Sequence, residues 1–244
     1  MTRKFLETLT CRYHAYVDVF RDGAGVLSQL HQLKWDHTRH VVEDACLIMS
    51  GEGWPRPESL VGEACALLHD VGRYSQLKEY GTFRDAESID HAVRGVEVIE
   101  AERLLEGFSG ETRKRVLAAV ALHNKKEVPA ALDDATARLA YLVRDADKLD
   151  IFRVLETVIA DGSLESNPEI AWGLQVRGAP TPEVVASVRV GRPVDYDTVR
   201  NLSDFVLIQV GWLIGGFRYA TSMRLAAERK ALEFREGFLK SLSD

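Results

Sequence analysis

Cysteine is scarce in this chain. Cys11, Cys46 and Cys65 are an odd set of three in 244 residues, with no Cys-x-x-Cys pair. No disulfide framework is therefore expected. Each cysteine stands in an apolar helical stretch and is read as a reduced core thiol of a cytoplasmic protein. Long hydrophobic runs are also absent. No stretch approaches the roughly 18 apolar residues that cross a bilayer, so no membrane partner is expected. Met1-Thr2-Arg3-Lys4-Phe5 is not followed by a long apolar run, so the sequence carries no sign of a signal peptide. Basic clusters are short and the formal net charge is −6. That leaves no basic stripe for a nucleic-acid polymer. Internal repeats and low-complexity tracts are missing too.

What is present is ordinary globular material, 46% apolar and 28% charged, enough for a sizeable core. Apolar residues recur at helical spacing over most of the chain. Helices are expected from Phe5 to Phe20, Leu27 to Leu33, Asp36 to Met49, and from Pro57 to Asp70. Further helices are expected from Ser88 to Leu105, Glu111 to Asn124, and Leu132 to Val158, the last with a break near Asp147–Asp150. Ser75 to Asp85 reads as a loop, with Thr82 and Phe83 in it as candidate pocket wall. Residues 161–196 are rich in glycine and proline and read as an insertion with a short helix or hairpin. Two helices follow from Asp195 to Leu239, joined near Gly215-Gly216. The apolar stripe from Phe205 to Tyr219 is assigned to the core, with a homodimer interface as the alternative. A single, mostly α domain over 1–244 accounts for these patterns.

The chemistry concentrates at Ala66-Leu67-Leu68-His69-Asp70-Val71-Gly72-Arg73. An apolar helix that ends in a buried His and Asp is costly unless each finds a partner, and one cation satisfies both. His37, His69, Asp70, His91, His123 and Asp145 fall on or at the ends of successive predicted helices. Bundles build core metal sites in this way, one ligand from each helix. Imidazole and carboxylate together suit Mn, Fe, Co, Ni or Zn, as one ion or as two with a shared carboxylate.

His37 in Asp36-His37-Thr38-Arg39-His40-Val41, then Leu67-Leu68-His69-Asp70-Val71-Gly72, then Arg144-Asp145-Ala146-Asp147-Lys148-Leu149-Asp150 resemble the H…HD…D signature of the HD-domain metal-dependent phosphohydrolase superfamily. The resemblance spans about residues 30–155. It implies an all-α HD-domain helical bundle, extended by the insertion at about 161–196 and C-terminal helices at about 197–242. It further implies that His37, His69, Asp70 and Asp145 bind one metal, with His69 and Asp70 central to catalysis. In two-metal members the extra histidines correspond to His91 and His123, and Asp70 is the bridge.

Many relatives have lysine after HD-x-Gly, where this chain has Arg73. The guanidinium keeps its charge when buried, so Arg73 remains a candidate for substrate phosphate, with Asn124, Lys148 and the pair Lys125-Lys126. The expected activity is hydrolysis of a small phosphorylated molecule, nucleotides included, by metal-activated water. Two alternatives stand beside it: a di-iron oxygenase on the same fold, and a non-enzymatic nucleotide- or metal-binding sensor.

Overall fold

The computed structural model describes residues 2–163, 169 and 173–241. Among the described residues every named element is helical, in line with the expected all-α fold. The sequence reading drew one domain over 1–244; the chain divides into two compact units, Met1–Asp150 and Ile151–Asp244.

In the first unit α1 (Arg3–Asp18) buries Leu9, Tyr13, Tyr16 and Val17. Its Cys11 is exposed rather than a core thiol, while Cys65 is buried. Ser28 caps α2 (Gln29–Gly51) by accepting from the His31 amide. This is one helix where two were expected. Between Leu33 and Asp36 stand only Lys34 and Trp35, and neither breaks a helix. α3 (Arg56–Leu68) starts with Pro57 in its first turn and buries Leu60, Ala64, Cys65 and Leu68.

α4 (Gly72–Tyr80) occupies much of the stretch read as loop from Ser75, and ends at Gly81 with φ 71°. A left-handed residue at that position favours glycine. Gly72 has a different cause. A Cβ there would stand 2.4 Å from the His91 carbonyl oxygen and 2.5 Å from the Gly95 amide. Only glycine lets α4 approach α5 (His91–Ala101) this closely. The glycine after His69-Asp70 thus brings the next histidine-bearing helix up to the carboxylate. Ser109 caps α6 (Gly110–Leu122). α7 (Asp134–Ala160) runs without the expected break.

In the second unit, α8 (Pro182–Arg189) is the short helix expected in the insertion. Residues 164–168 and 170–172 of that insertion lie outside the described residues. α9 (Leu202–Gly211) opens on a capping box of Asn201 and Asp204. Its Leu202, Phe205 and Val206 bury against Leu155 and Val158. A π-helical turn over Trp212–Gly216 follows, then α10 (Ala220–Glu228) and α11 (Ala231–Ser241). The sequence reading gave two helices here. The structure adds a boundary at Lys230, whose φ of 56° ends α10. Among the described residues no helix is long and apolar enough to cross a membrane.

Candidate metal centre

Four histidines and one aspartate converge inside the first unit. α2 supplies His37, the end of α3 His69, the start of α5 His91, and the end of α6 His123. Asp70 lies between α3 and α4. All five are buried.

Each imidazole is held by its Nδ1. His69 Nδ1 lies 2.8 Å from the Ala66 carbonyl and His123 Nδ1 2.7 Å from the Val120 carbonyl. A carbonyl only accepts, so these nitrogens donate, and in the neutral imidazole the inward Nε2 is then the acceptor. His37 Nδ1 lies 2.6 Å from Asp150 Oδ2, and His91 Nδ1 2.6 Å from Asp85 Oδ2. Carboxylate and carbonyl partners on the outer nitrogen are the usual setting of metal-binding histidine.

The inward nitrogens form two pairs. His37 and His69 Nε2 are 3.2 Å apart, and His91 and His123 Nε2 2.9 Å apart. Asp70 divides its oxygens between them. Oδ2 lies 3.5 Å from His37 Nε2 and 3.7 Å from His69 Nε2. Oδ1 lies 3.5 Å from His91 Nε2 and 3.6 Å from His123 Nε2. Donors bound to one ion at about 2.0–2.2 Å stand roughly 3–3.6 Å from one another. The chain therefore presents two donor groups sharing Asp70, both able to hold a metal: His37–His69–Asp70 and Asp70–His91–His123.

The third block of the signature contributes Asp147, not Asp145. Asp147 Oδ1 lies 3.2 Å from His37 Nε2 and 3.9 Å from His69 Nε2. Two residues along an α-helix turn about 200°, so Asp145 and Asp147 cannot face the same point. Asp145 is buried on another side of α7, within the field of Lys148. Asp150 lies one turn beyond Asp147. Besides His37 it meets His40, whose Nδ1 is 3.1 Å from Asp150 Oδ1.

Burial acts differently on the members of the cluster. It pulls the imidazoles of His69 and His91 down to about 4, so both are neutral near pH 7. Burial and the Lys34 charge also pull at His37, but hydrogen bonds to Asp147 and Asp150 override them and lift it to about 9. Burial alone would raise Asp70. Lys34 and His69 outweigh it and hold the carboxyl well below its usual range. Burial opposes ionisation of Asp147 as well, and hydrogen bonding and charge from His37 keep it ionised.

The surrounding cations fall into distinct roles. Arg73 is buried, and its Nη1 donates to Gln76 (2.9 Å), the Phe83 carbonyl (2.6 Å) and Asp85 (2.9 Å). It fastens the segment after α4 to the site rather than extending toward a substrate. Arg144 binds the carbonyls of Leu122, His123, Lys125 and Lys126, fixing the end of α6 where His123 sits. Lys125 pairs with Asp90. Asn124 donates to Asp90 Oδ1 at 2.9 Å, behind His91. Burial lowers Lys148 to about 8. Phe83 is buried, as expected of a pocket wall, while the Thr82 hydroxyl accepts from the Arg84 amide.

Sequence reasoning missed Lys34, whose Nζ lies 2.8 Å from Asp70 Oδ2. The available signal was its place one helical turn before His37. It also passed over Asp85, because the stretch around it read as loop.

The family model of the HD domain matches residues 35–151. The matched segment begins just before His37, contains every histidine and carboxylate of the cluster, and ends just after Asp150. No curated protein and no solved structure matches the chain.

Proposed function

We propose that this chain, whose residues 35–151 match the family model of the HD domain, is a metal-dependent phosphohydrolase that hydrolyses a small phosphorylated molecule, with nucleotides among the candidates. His37, His69, Asp147 and Asp70 Oδ2 would hold one divalent transition-metal ion. His91, His123 and Asp70 Oδ1 would hold a second. One observation carries the reading: His91 and His123 bring their Nε2 atoms to 2.9 Å from each other, while their Nδ1 atoms are engaged by Asp85 and by the Val120 carbonyl, so that in the neutral rings two lone pairs meet. Such a pair repels unless a cation lies between.

Bound there, the ions would supply Lewis acidity toward water and toward a phosphoryl oxygen. The chain's own residues do the rest. Asp150 and Asp85 fix the His37 and His91 rings, and the Ala66 and Val120 carbonyls fix those of His69 and His123. Asp70 holds the two positions in register. Arg73 and Gln76 hold Asp85 in place and so support His91 indirectly.

The test is a panel of phosphomonoesters and nucleotides assayed with Mn²⁺, Fe²⁺, Co²⁺, Ni²⁺ and Zn²⁺, for the wild type and Asp70→Ala. Metal-dependent phosphate release that Asp70→Ala abolishes supports the proposal. Retained metal and retained activity in that variant overturn it. The imidazole-rich donor set also suits iron. Aerobic turnover with iron and none on phosphoesters would favour the oxygenase. Tight nucleotide binding without turnover under any metal would favour the sensor.

A further inference from the structure

Asp70 Oδ2 faces two imidazoles, but it accepts its hydrogen bond from Lys34. The lysine comes off α2 one turn before His37, and its side chain keeps 14% exposure. The ammonium lies 5.1 Å from the centre of the buried Phe83 ring. Phe83 is held in turn by the Arg73 bond to its carbonyl. The ammonium is thus set against an aromatic face, on a side chain that is largely but not wholly buried. An ammonium has three donors. Among the described residues, Asp70 is the acceptor hydrogen-bonded to it.

The other cations near the site are fastened by the fold. Arg73 is tied to Gln76, Phe83 and Asp85, Arg144 to four backbone carbonyls, and Lys125 to Asp90. Lys148 lies in the field of Asp145. Lys34 alone among these touches the shared carboxylate within hydrogen-bond distance and still reaches solvent.

We infer that Lys34 is the substrate's anion clamp: one N–H holds Asp70 Oδ2, and the others receive the oxygens of a phosphoryl group entering beside the first metal position. The inference rests on the phosphohydrolase reading for the nature of the anion. It adds which side chain receives it, and it takes that role from Arg73. Charge-assisted N–H···O bonds to phosphate oxygen are strong, and a lysine makes them as a point charge. The clamp binds the anion and does not build the metal site.

Metal content and inorganic orthophosphate binding, both read on metal-loaded protein, test this for wild type, Lys34→Met and Lys34→Arg. Lys34→Met should keep the wild-type metal content, because no donor to the ions is lost. Its orthophosphate affinity should fall about ten-fold or more, and Lys34→Arg should restore most of it. Unchanged phosphate affinity in Lys34→Met overturns the assignment. So does loss of metal or of folding in Lys34→Met, with Lys34→Arg intact, since Lys34 would then be structural. If the wild type releases no phosphate from any ester, the activity reading fails, while the orthophosphate comparison still decides the clamp.

Discussion

Asp70 in the first unit and Asp204 in the second are both buried aspartates, and the fold treats them in opposite ways. Asp204 is surrounded by donors from its own neighbourhood. It accepts from the Thr181 amide at 2.6 Å, the Thr181 hydroxyl at 2.7 Å and the Arg200 amide at 2.9 Å, and it completes the cap of α9. Asp70 accepts from Lys34, and beyond that its oxygens face Arg73 Nε at 3.6 Å and four imidazole nitrogens at 3.5–3.7 Å. Those contacts are too long and too symmetric for hydrogen bonds, and they have the spacing of donors around ions. A buried charge can be answered by the chain that buries it or by a cation brought from outside. Burial does not separate the two cases; the direction of the neighbouring lone pairs does.

The largest expected effect breaks this comparison at its two ends. Asp70→Ala should remove ion binding at both positions and with it the proposed phosphohydrolase activity, by roughly a thousand-fold or more. Asp204→Ala should cost about 2–4 kcal/mol of folding stability and leave metal content unchanged. Elemental analysis and denaturant melts of the two variants read this directly. Metal loss in Asp204→Ala with stability intact would erase the distinction.

Next comes the correction on α7. Asp147→Asn should weaken the first ion by about a hundred-fold, whereas Asp145→Asn should change its affinity only a few-fold. Calorimetric metal titration separates them. The reverse order would return the ligand to Asp145.

Smaller effects are expected one bond further out. Asp150→Asn and Asp85→Asn should each weaken one ion by about ten-fold, the first at His37 and the second at His91. A titration resolving two ions would show each variant affecting a different step, and identical effects on both steps would contradict the two-group arrangement.

The smallest effect is on pH dependence. His37, raised to about 9, favours the folded metal-free protein below its ordinary value of 6.5, and that contribution is lost as pH rises through 9. His69 and His91, lowered to about 4, act in the opposite sense. Their contribution is present above 6.5 and is lost as pH falls through 4. The metal-free protein should therefore lose stability toward both pH 9 and pH 4. Near pH 7, filling the first position must also displace the His37 proton. About one proton should be released with that ion. Titrations in two buffers of different ionisation enthalpy count the protons, and no release on filling the first position would refute the assignment.

Much of this was legible in the sequence where a residue's role is local. α1, α3, α6 and α7 follow apolar periodicity, and His69, Asp70, His91 and His123 lie at or next to helix ends that the same pattern located. Where the pattern was weak, the reading failed. In α4 Gln76 and Arg73 are buried beside Tyr74 and Leu77, so no apolar face declares the helix. α2 was divided at Lys34-Trp35, although neither residue breaks a helix. Asp145 was preferred to Asp147, and burial would have pointed the same way. Asp145 is 1% exposed, while the Asp147 side chain keeps 19%. The carboxylate that reaches the histidines stands at the rim of the buried face of α7, where the site opens toward solvent.

The sequence by itself determined the helical class, the presence of an HD domain, and which imidazoles and which aspartate at the end of α3 make up the cluster. Periodicity and residue type are local properties of the chain. Only the tertiary structure decided that one Asp70 oxygen faces each histidine pair, that Asp147 lies against the first pair, and that Lys34 reaches Asp70. Those facts depend on the rotational phase of helices packed against one another, and phase is set by contacts between residues far apart in sequence, such as the backbone approach that Gly72 permits.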